Sequence, residues 1–235
     1  YLLAERAKAL KEAGLKRVTV SLDSVDDEIV KESNGRGYGV WRIMAGIKKA
    51  EMVGLTPIKI NAVVKRGLTD TTIVDLARRF KGTPHIVRFI EYMDVGNLNG
   101  WKLENVIPAT DIFGAINRVF PIEPMEPNYE SEVSQRYRYK DGTGEIGIIS
   151  SVTNPFCQTC SRARLSTDGK LYTCLFATDG TDLRHALRGG ASDDELVGLI
   201  TGIWSDRKDR YSEIRASFTR ASDRPKKVEM YQIGG

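Results

Sequence analysis

Three stretches of the chain alternate apolar and polar residues with period two, and between them apolar residues recur every three or four positions. Arg17–Asp23 sets Val18, Val20 and Leu22 against Thr19, Ser21 and Asp23, which predicts a strand with one apolar and one polar face. Pro57–Val64 sets Ile58 and Ile60 against Lys59 and Asn61, and His85–Met93, carrying Arg88, Glu91 and Met93, splits its polar groups between the faces. Helical spacing runs from Leu2 to Ala13, stopping at Gly14. It returns from Val40 to Val53 through Ile43, Met44, Ile47 and Ala50, stopping at Gly54. A third helix is expected from Thr71 to Lys81, capped by Thr69 or Asp70. Helices alternating with strands predict right-handed crossovers and a parallel sheet, part of a barrel or of a doubly wound fold. A parallel sheet covered on both sides reads almost wholly apolar. The polar faces here therefore favour helices on one side and a ligand-lined cavity on the other, against the plainer alternative of a solvated face.

Beyond Met93 the pattern changes. Asp94–Gly100 reads as loop, Thr110 as the cap of a helix ending near Val119, and Pro121, Pro124 and Pro127 as a connector. That connector divides the chain into 1–120 and 121–235. Two hairpins follow: Gln135–Tyr139 with Glu145–Ser151 across Asp141–Gly144, and Arg162–Ser166 with Lys170–Phe176 across Asp168–Gly169. In the second hairpin Arg162 and Arg164 would share a strand face. Ser192 caps a helix with an acidic first turn that runs to about Trp204. Asp206–Lys227 reads as charged and irregular, and the sequence ends in Gly234-Gly235, ordinarily a frayed end.

The three cysteines, Cys157, Cys160 and Cys174, bring in chemistry. A C-x2-C loop, a strand, a turn and a returning strand can place all three together. Three thiolates can hold an iron–sulfur cluster with one iron left open, next to Arg162 and Arg164 as cations for an anionic ligand. Two other readings stay open on spacing alone: unrelated thiols, or structural zinc completed by His185. An odd cysteine count argues against a disulfide framework and fits a reducing cytoplasm. A net charge of +4 is too small to point to nucleic acid. No apolar run reaches the length of a membrane span.

The stretches VSLDS (20–24), KINAVVKRG (59–67), RFIEYMDVGNLNGW (88–101), FCQTCSRARLSTDGKLYTCLF (156–176) and the final Gly-Gly resemble the molybdenum cofactor biosynthesis protein A family. Its members are radical S-adenosylmethionine (SAM) enzymes that cyclise GTP. The resemblance spans the whole chain and implies an α/β fold: a partial, TIM-like radical SAM barrel followed by antiparallel hairpins that carry a cluster. The family's C-x3-C-x2-C motif and glycine-rich SAM motif are not in this sequence, so the cluster that cleaves SAM is expected in a missing N-terminal part. This chain alone is expected to be inactive.

By resemblance, Cys157, Cys160 and Cys174 ligate a C-terminal [4Fe–4S] cluster. Lys59, Arg162, Ala163 and Arg164 bind GTP, and Arg88 faces the substrate. Ser21 and Met93 contact SAM, and Gly234 and Gly235 form a catalytic tail, which displaces the frayed-end reading. The implied reaction uses a 5′-deoxyadenosyl radical to take a ribose hydrogen from GTP, after which the sugar carbon attacks C8 of guanine. A partner enzyme then converts the product to cyclic pyranopterin monophosphate. A homodimer is compatible with the resemblance. The rival to an enzyme is a non-catalytic module, stabilised by zinc or a cluster, that binds a nucleotide or a partner protein.

Overall fold

A computed structural model describes residues 2–218 and 225–233, the side chain of Ala216 excepted. Residues up to Tyr92 together with Leu103–Asn154 form one compact unit; Met93–Lys102 together with the chain from Pro155 on form a second.

In the first unit the chain runs through α1 (Leu3–Glu12), β1 (Thr19–Ser21), α2 (Asp27–Asn34), α3 (Val40–Met52), β2 (Lys59–Val64), α4 (Ile73–Phe80) and β3 (Ile86–Glu91). It continues through α5 (Ala109–Val119), β4 (Ile122–Met125), β5 (Gln135–Tyr139) and β6 (Glu145–Ile149). The six strands make one sheet in the order β1-β2-β3-β6-β5-β4. The first four in that order are parallel, and β5 and β4 are antiparallel additions. Period two decides the faces. Ile60, Ala62 and Val64 of β2, Val87 and Phe89 of β3, and Ile146 and Ile148 of β6 are buried in a core with Ala7, Ile47, Ala50, Leu76, Phe80, Ile112 and Ile116 from the helices. Lys59, Asn61 and Arg88 point to the other face and are half-buried. The α/β alternation and the two-faced strands thus match the sequence pattern.

At the end of β3 the fully buried Glu91 holds two other segments. One carboxylate oxygen accepts from the backbone N–H of Ala109 (2.8 Å) and from the Thr153 hydroxyl. The other accepts from the N–H groups of Val152 (2.7 Å) and Thr153 (2.8 Å).

Several local expectations change. Helix α5 starts at Ala109 with Pro108 at the cap position and no side-chain cap bond, so Glu91, not Thr110, serves its first free N–H. A 3₁₀ turn, Asp70–Thr72, precedes α4. The Thr69 hydroxyl binds the end of β2 instead of capping, donating to Val63 O (2.7 Å) and accepting from Lys65 N (2.8 Å). The proline connector contains β4, where Pro124 pairs opposite Tyr137. This strand lies at the sheet edge, where a missing N–H is tolerated. Because β6 runs parallel to β3, the first hairpin belongs to the main sheet, and residue 121 falls inside the first unit.

The second unit has a three-stranded antiparallel sheet of β7 (Arg164–Leu165), β8 (Lys170–Tyr172) and β9 (Thr181–Asp182). Then come α6 (Arg184–Arg188), α7 (Asp193–Ser205) and α8 (Tyr211–Ile214). Ser192 and Glu195 form a reciprocal capping box at the start of α7, as the acidic first turn predicts. Since β7 begins at Arg164, Arg162 lies in the preceding loop and the two arginines do not share a strand face. The segment expected to be irregular contains α8 and the buried Tyr211, Arg215 and Lys227.

Candidate functional site

On the polar face of the first unit, register brings Ser21, Asn61, Arg88 and Gly147 into one row across β1, β2, β3 and β6. Arg88 Nε donates to Asn61 Oδ1 at 2.9 Å, which aims the guanidinium along the sheet. A Cβ at Gly147 would stand 3.2 Å from Arg88 Cγ and 2.1 Å from Ser134 Oγ, so glycine makes room for both side chains. Ser134 Oγ is buried and has no hydrogen-bond partner among the described residues. Lys59 lies two residues before Asn61 on the same face. Burial pushes its amine below the ordinary lysine value, and the neighbouring Arg88 pushes it further. Burial likewise depresses Arg88, which stays charged. Among the described residues neither cation makes a salt bridge. Two desolvated like charges of this kind favour an anion between them.

In the second unit Cys157 and Cys160 are joined by a turn, with Cys160 N donating to Cys157 O at 3.3 Å. The pairing of Arg164 with Tyr172 returns the chain toward that turn, and Cys174 follows two residues after Tyr172. All three thiols are free and half-buried. Arg162 donates to Cys160 Sγ at 3.1 Å and lies over the Phe156 ring at 5.1 Å. Arg207 donates to Cys160 O at 2.5 Å and lies over Trp204 at 4.8 Å. Burial pushes the Cys160 thiol up, but the backbone and charge of Arg162, with Arg207, outweigh it and hold the thiol below its usual value. Burial raises the Cys174 thiol, with Asp209 and Cys157 adding to the rise. Arg164 is half-buried. Burial and Arg162 lower it while Cys174 and Cys160 raise it, and it makes no ion pair among the described residues.

Among the described residues no three His, Cys, Asp or Glu side chains are grouped to share one metal ion. His185 is exposed on α6, its backbone N–H bound to Asp182, so the zinc tetrahedron is not assembled. Thiolates around one tetrahedral ion, at ~2.3 Å from it, stand about 3.8 Å apart, and a four-iron cube holds its thiolates farther apart than that. The donor set suits the cube: three free thiols, with Cys157 acting electrostatically on Cys174 and arginines beside them.

Ser21 is exposed at β1. Met93 belongs to the second unit, where its carbonyl accepts from Asn99 Nδ2 at 2.9 Å. Ala163 is exposed between the two arginines. Gly234 and Gly235 lie outside the described residues.

Sequence reasoning missed a buried cluster in the second unit. The Asp94 carboxylate accepts from Arg215 Nε (2.6 Å), Lys227 Nζ (2.9 Å) and the Tyr211 hydroxyl (2.5 Å). Phe176 stacks on Tyr211 at 4.8 Å and lies under Arg215 at 4.9 Å. Burial pushes the Asp94 carboxyl up, but Tyr211, Arg215 and Lys227 outweigh it and hold it below its ordinary value. These partners lie 117 to 133 positions from Asp94, beyond any local spacing rule.

The sequence matches the family Molybdenum Cofactor Synthesis C over residues 85–213 and the Radical SAM superfamily over residues 1–80. It is 46% identical over 234 residues to the GTP 3′,8-cyclase of Xanthomonas campestris pv. campestris (strain B100), covering 100% of this chain and 68% of that one. The GTP 3′,8-cyclase of Acidothermus cellulolyticus is 44% identical over 256 residues, covering 100% and 71%. That of Staphylococcus aureus (strain JH9) is 42% identical over 235 residues, covering 100% and 69%. A solved radical SAM methyltransferase from Sphaerobacter thermophilus aligns with a TM-score of 0.39 at 16% identity, over 49% of this chain and 34% of that one, too slight a likeness to bear on the fold.

Proposed function

Because the chain belongs to the GTP 3′,8-cyclase family, radical SAM lyases of molybdenum cofactor biosynthesis, we propose that its own cations hold GTP and its three cysteines hold a [4Fe–4S] cluster. The observation that carries this reading is Arg164: a half-buried guanidinium beside the thiols, next to a second arginine and without a carboxylate partner among the described residues. Guanidinium forks suit phosphate oxygens, and such a charge is costly to bury unless an anion meets it. Arg162 and Arg164 bind phosphate of GTP within their unit, with Ala163 leaving the segment uncrowded. Lys59 and Arg88 present charge from the sheet face, where Asn61 keeps Arg88 oriented. Ser21 and Met93 contact SAM, and Gly234-Gly235 is a catalytic tail.

Cys157, Cys160 and Cys174 would hold the cluster, which supplies an open iron for a ligand atom of the guanine. SAM bound at a further cluster supplies radical chemistry, while the protein binds, orients and excludes water. This sequence carries no C-x3-C-x2-C motif, and on this reading it releases no 5′-deoxyadenosine by itself. The product passes to an enzyme that forms cyclic pyranopterin monophosphate.

The test is anaerobic purification followed by counts of iron, sulfide and zinc per chain, then GTP binding. Roughly four irons and four sulfides, with GTP affinity lost in Arg162→Ala and Arg164→Ala, are expected. Zinc without sulfide, or GTP affinity unchanged in both variants of a cluster-loaded sample, overturns the assignment.

A further inference from the structure

The stretch Asp94–Asn97 lies in the conspicuous RFIEYMDVGN sequence, and no role assigned above uses it. In the second unit it grips the segment that leads to the chain's end. Asn97 acts on Lys227 as a neighbouring strand would: its Oδ1 accepts from Lys227 N at 3.0 Å and its Nδ2 donates to Lys227 O at 2.6 Å. The same Nδ2 and the backbone N–H of Asn97 donate to Glu229 Oε1 at 2.8 and 2.9 Å. Glu229 and Gln232 close a reciprocal capping box around the 3₁₀ turn Met230–Gln232. Gly96 has φ +62°, and a Cβ there would stand 2.1 Å from Glu229 Oε2, so a side chain would both strain the backbone and push Glu229 away. Asp94 completes the grip by binding Lys227 Nζ through its carboxylate and its carbonyl. Val228 N is held by Ala177 O at 2.9 Å, and Ile233 is 2% exposed.

We propose that Asp94, Gly96 and Asn97 form a clamp that positions the C-terminal tail, with Asp94 and Asn97 acting as positioning residues for the terminal Gly-Gly. The catalytic consequence rests on the tail reading given under Proposed function. Ends of chains fray unless tied down. Two residues extend at most about 7 Å, so the reach of Gly234-Gly235 is set by where Ile233 is held. Loss of the clamp would leave the tail present but spread over many positions, lowering the fraction in which it is usefully placed.

The experiment uses full-length enzyme with both clusters loaded. Asn97→Ala removes the grip from the loop side, and Glu229→Ala breaks the same contact from the tail side should the first variant fold poorly. Amide exchange of peptides covering 227–233 is expected to speed up about tenfold, the scale of one net hydrogen bond, with exchange in β2 and β3 unchanged. Turnover of GTP is expected to fall by a similar factor with GTP affinity preserved. The decisive readout is a double-mutant cycle: adding Asn97→Ala to an enzyme lacking Gly234 and Gly235 should cost nothing further. Unchanged exchange in both variants, or full additivity of Asn97→Ala with the truncation, overturns the clamp. Faster exchange in an enzyme whose truncation is harmless supports the clamp as an anchor and overturns the catalytic-tail reading instead.

Discussion

Replacing Glu91 by Gln tests whether a single buried carboxylate ties the sheet of the first unit to α5 and to the turn after β6. The shape is preserved, so the effect isolates charge and hydrogen-bond direction. Glu91 is acceptor-only and takes four donors: Ala109 N and the Thr153 hydroxyl on one oxygen, Val152 N and Thr153 N on the other. Glutamine offers one oxygen and an NH2 group. Its best placement keeps the oxygen on the Val152 and Thr153 amides and lets the NH2 donate to a rotated Thr153 hydroxyl. The Ala109 N–H then faces another donor and goes unpaired at the start of α5. An unsatisfied buried amide costs about 1–3 kcal/mol, and two remaining bonds lose their charge assistance, roughly 0.5–1 kcal/mol each. The sum is about 2–5 kcal/mol. At roughly 2–4 °C per kcal/mol for a chain of this size, Tm should drop by about 4–20 °C. Urea unfolding followed by circular dichroism measures the free-energy loss, with the m-value serving as a check that the native and unfolded states are otherwise unchanged. A loss under 1 kcal/mol at unchanged m would refute the reasoning, because it would mean that these donors find other partners or that the bonds contribute little.

Gly147→Ala should lower stability by about 1–3 kcal/mol and weaken GTP binding by displacing Arg88, read by unfolding and by titration with the nucleotide; unchanged affinity would detach Arg88 from the substrate. The Asp94 carboxyl has its folded pKa below the unfolded 3.8. Its contribution is therefore fully present above pH 3.8 and is lost as pH falls through the lower folded value. Protection of Val228–Ile233 amides should accordingly hold down to about pH 4 and fade below it, and in Asp94→Asn this step should vanish. Cys174→Ser should leave less iron bound after anaerobic reconstitution while β1–β3 keep their exchange protection; full iron occupancy would remove Cys174 from the ligand set.

The helix-side core was legible because period two in β2 and β3, and period 3.6 in α3, are dictated locally by which residues must leave water. The polar face carrying Lys59 and Asn61 was legible for the same reason, but the place of Arg88 beside Asn61 was not, because the pattern of β3 splits its polar groups between the faces. The hairpin of β5 and β6 was legible too, through Asp141–Gly144, but its place beside β3 was not. A parallel partner is chosen by packing across the sheet, and no residue within β6 names it. Pro124 misled because proline signals a break, whereas an edge strand has room for it. The Asp94 cluster was hidden most completely. Tyr211, Arg215 and Lys227 sit in a charged stretch that reads as solvated, and the carboxylate that binds all three, Asp94, lies more than a hundred positions earlier.

That distance also sets a schedule for the growing polypeptide. Asp94 leaves the ribosome 133 residues before Lys227, a gap of roughly 7–27 s at typical synthesis rates of about 5–20 residues per second. Throughout that interval Asp94 is without Lys227, while Leu103–Asn154, which follows the loop Met93–Lys102, can already complete the six-stranded sheet. The second unit is therefore discontinuous in the gene. A clone that begins at Pro155 would encode its cysteines but not Asp94 or Asn97, and would leave Arg215 and Lys227 without the carboxylate they are buried against.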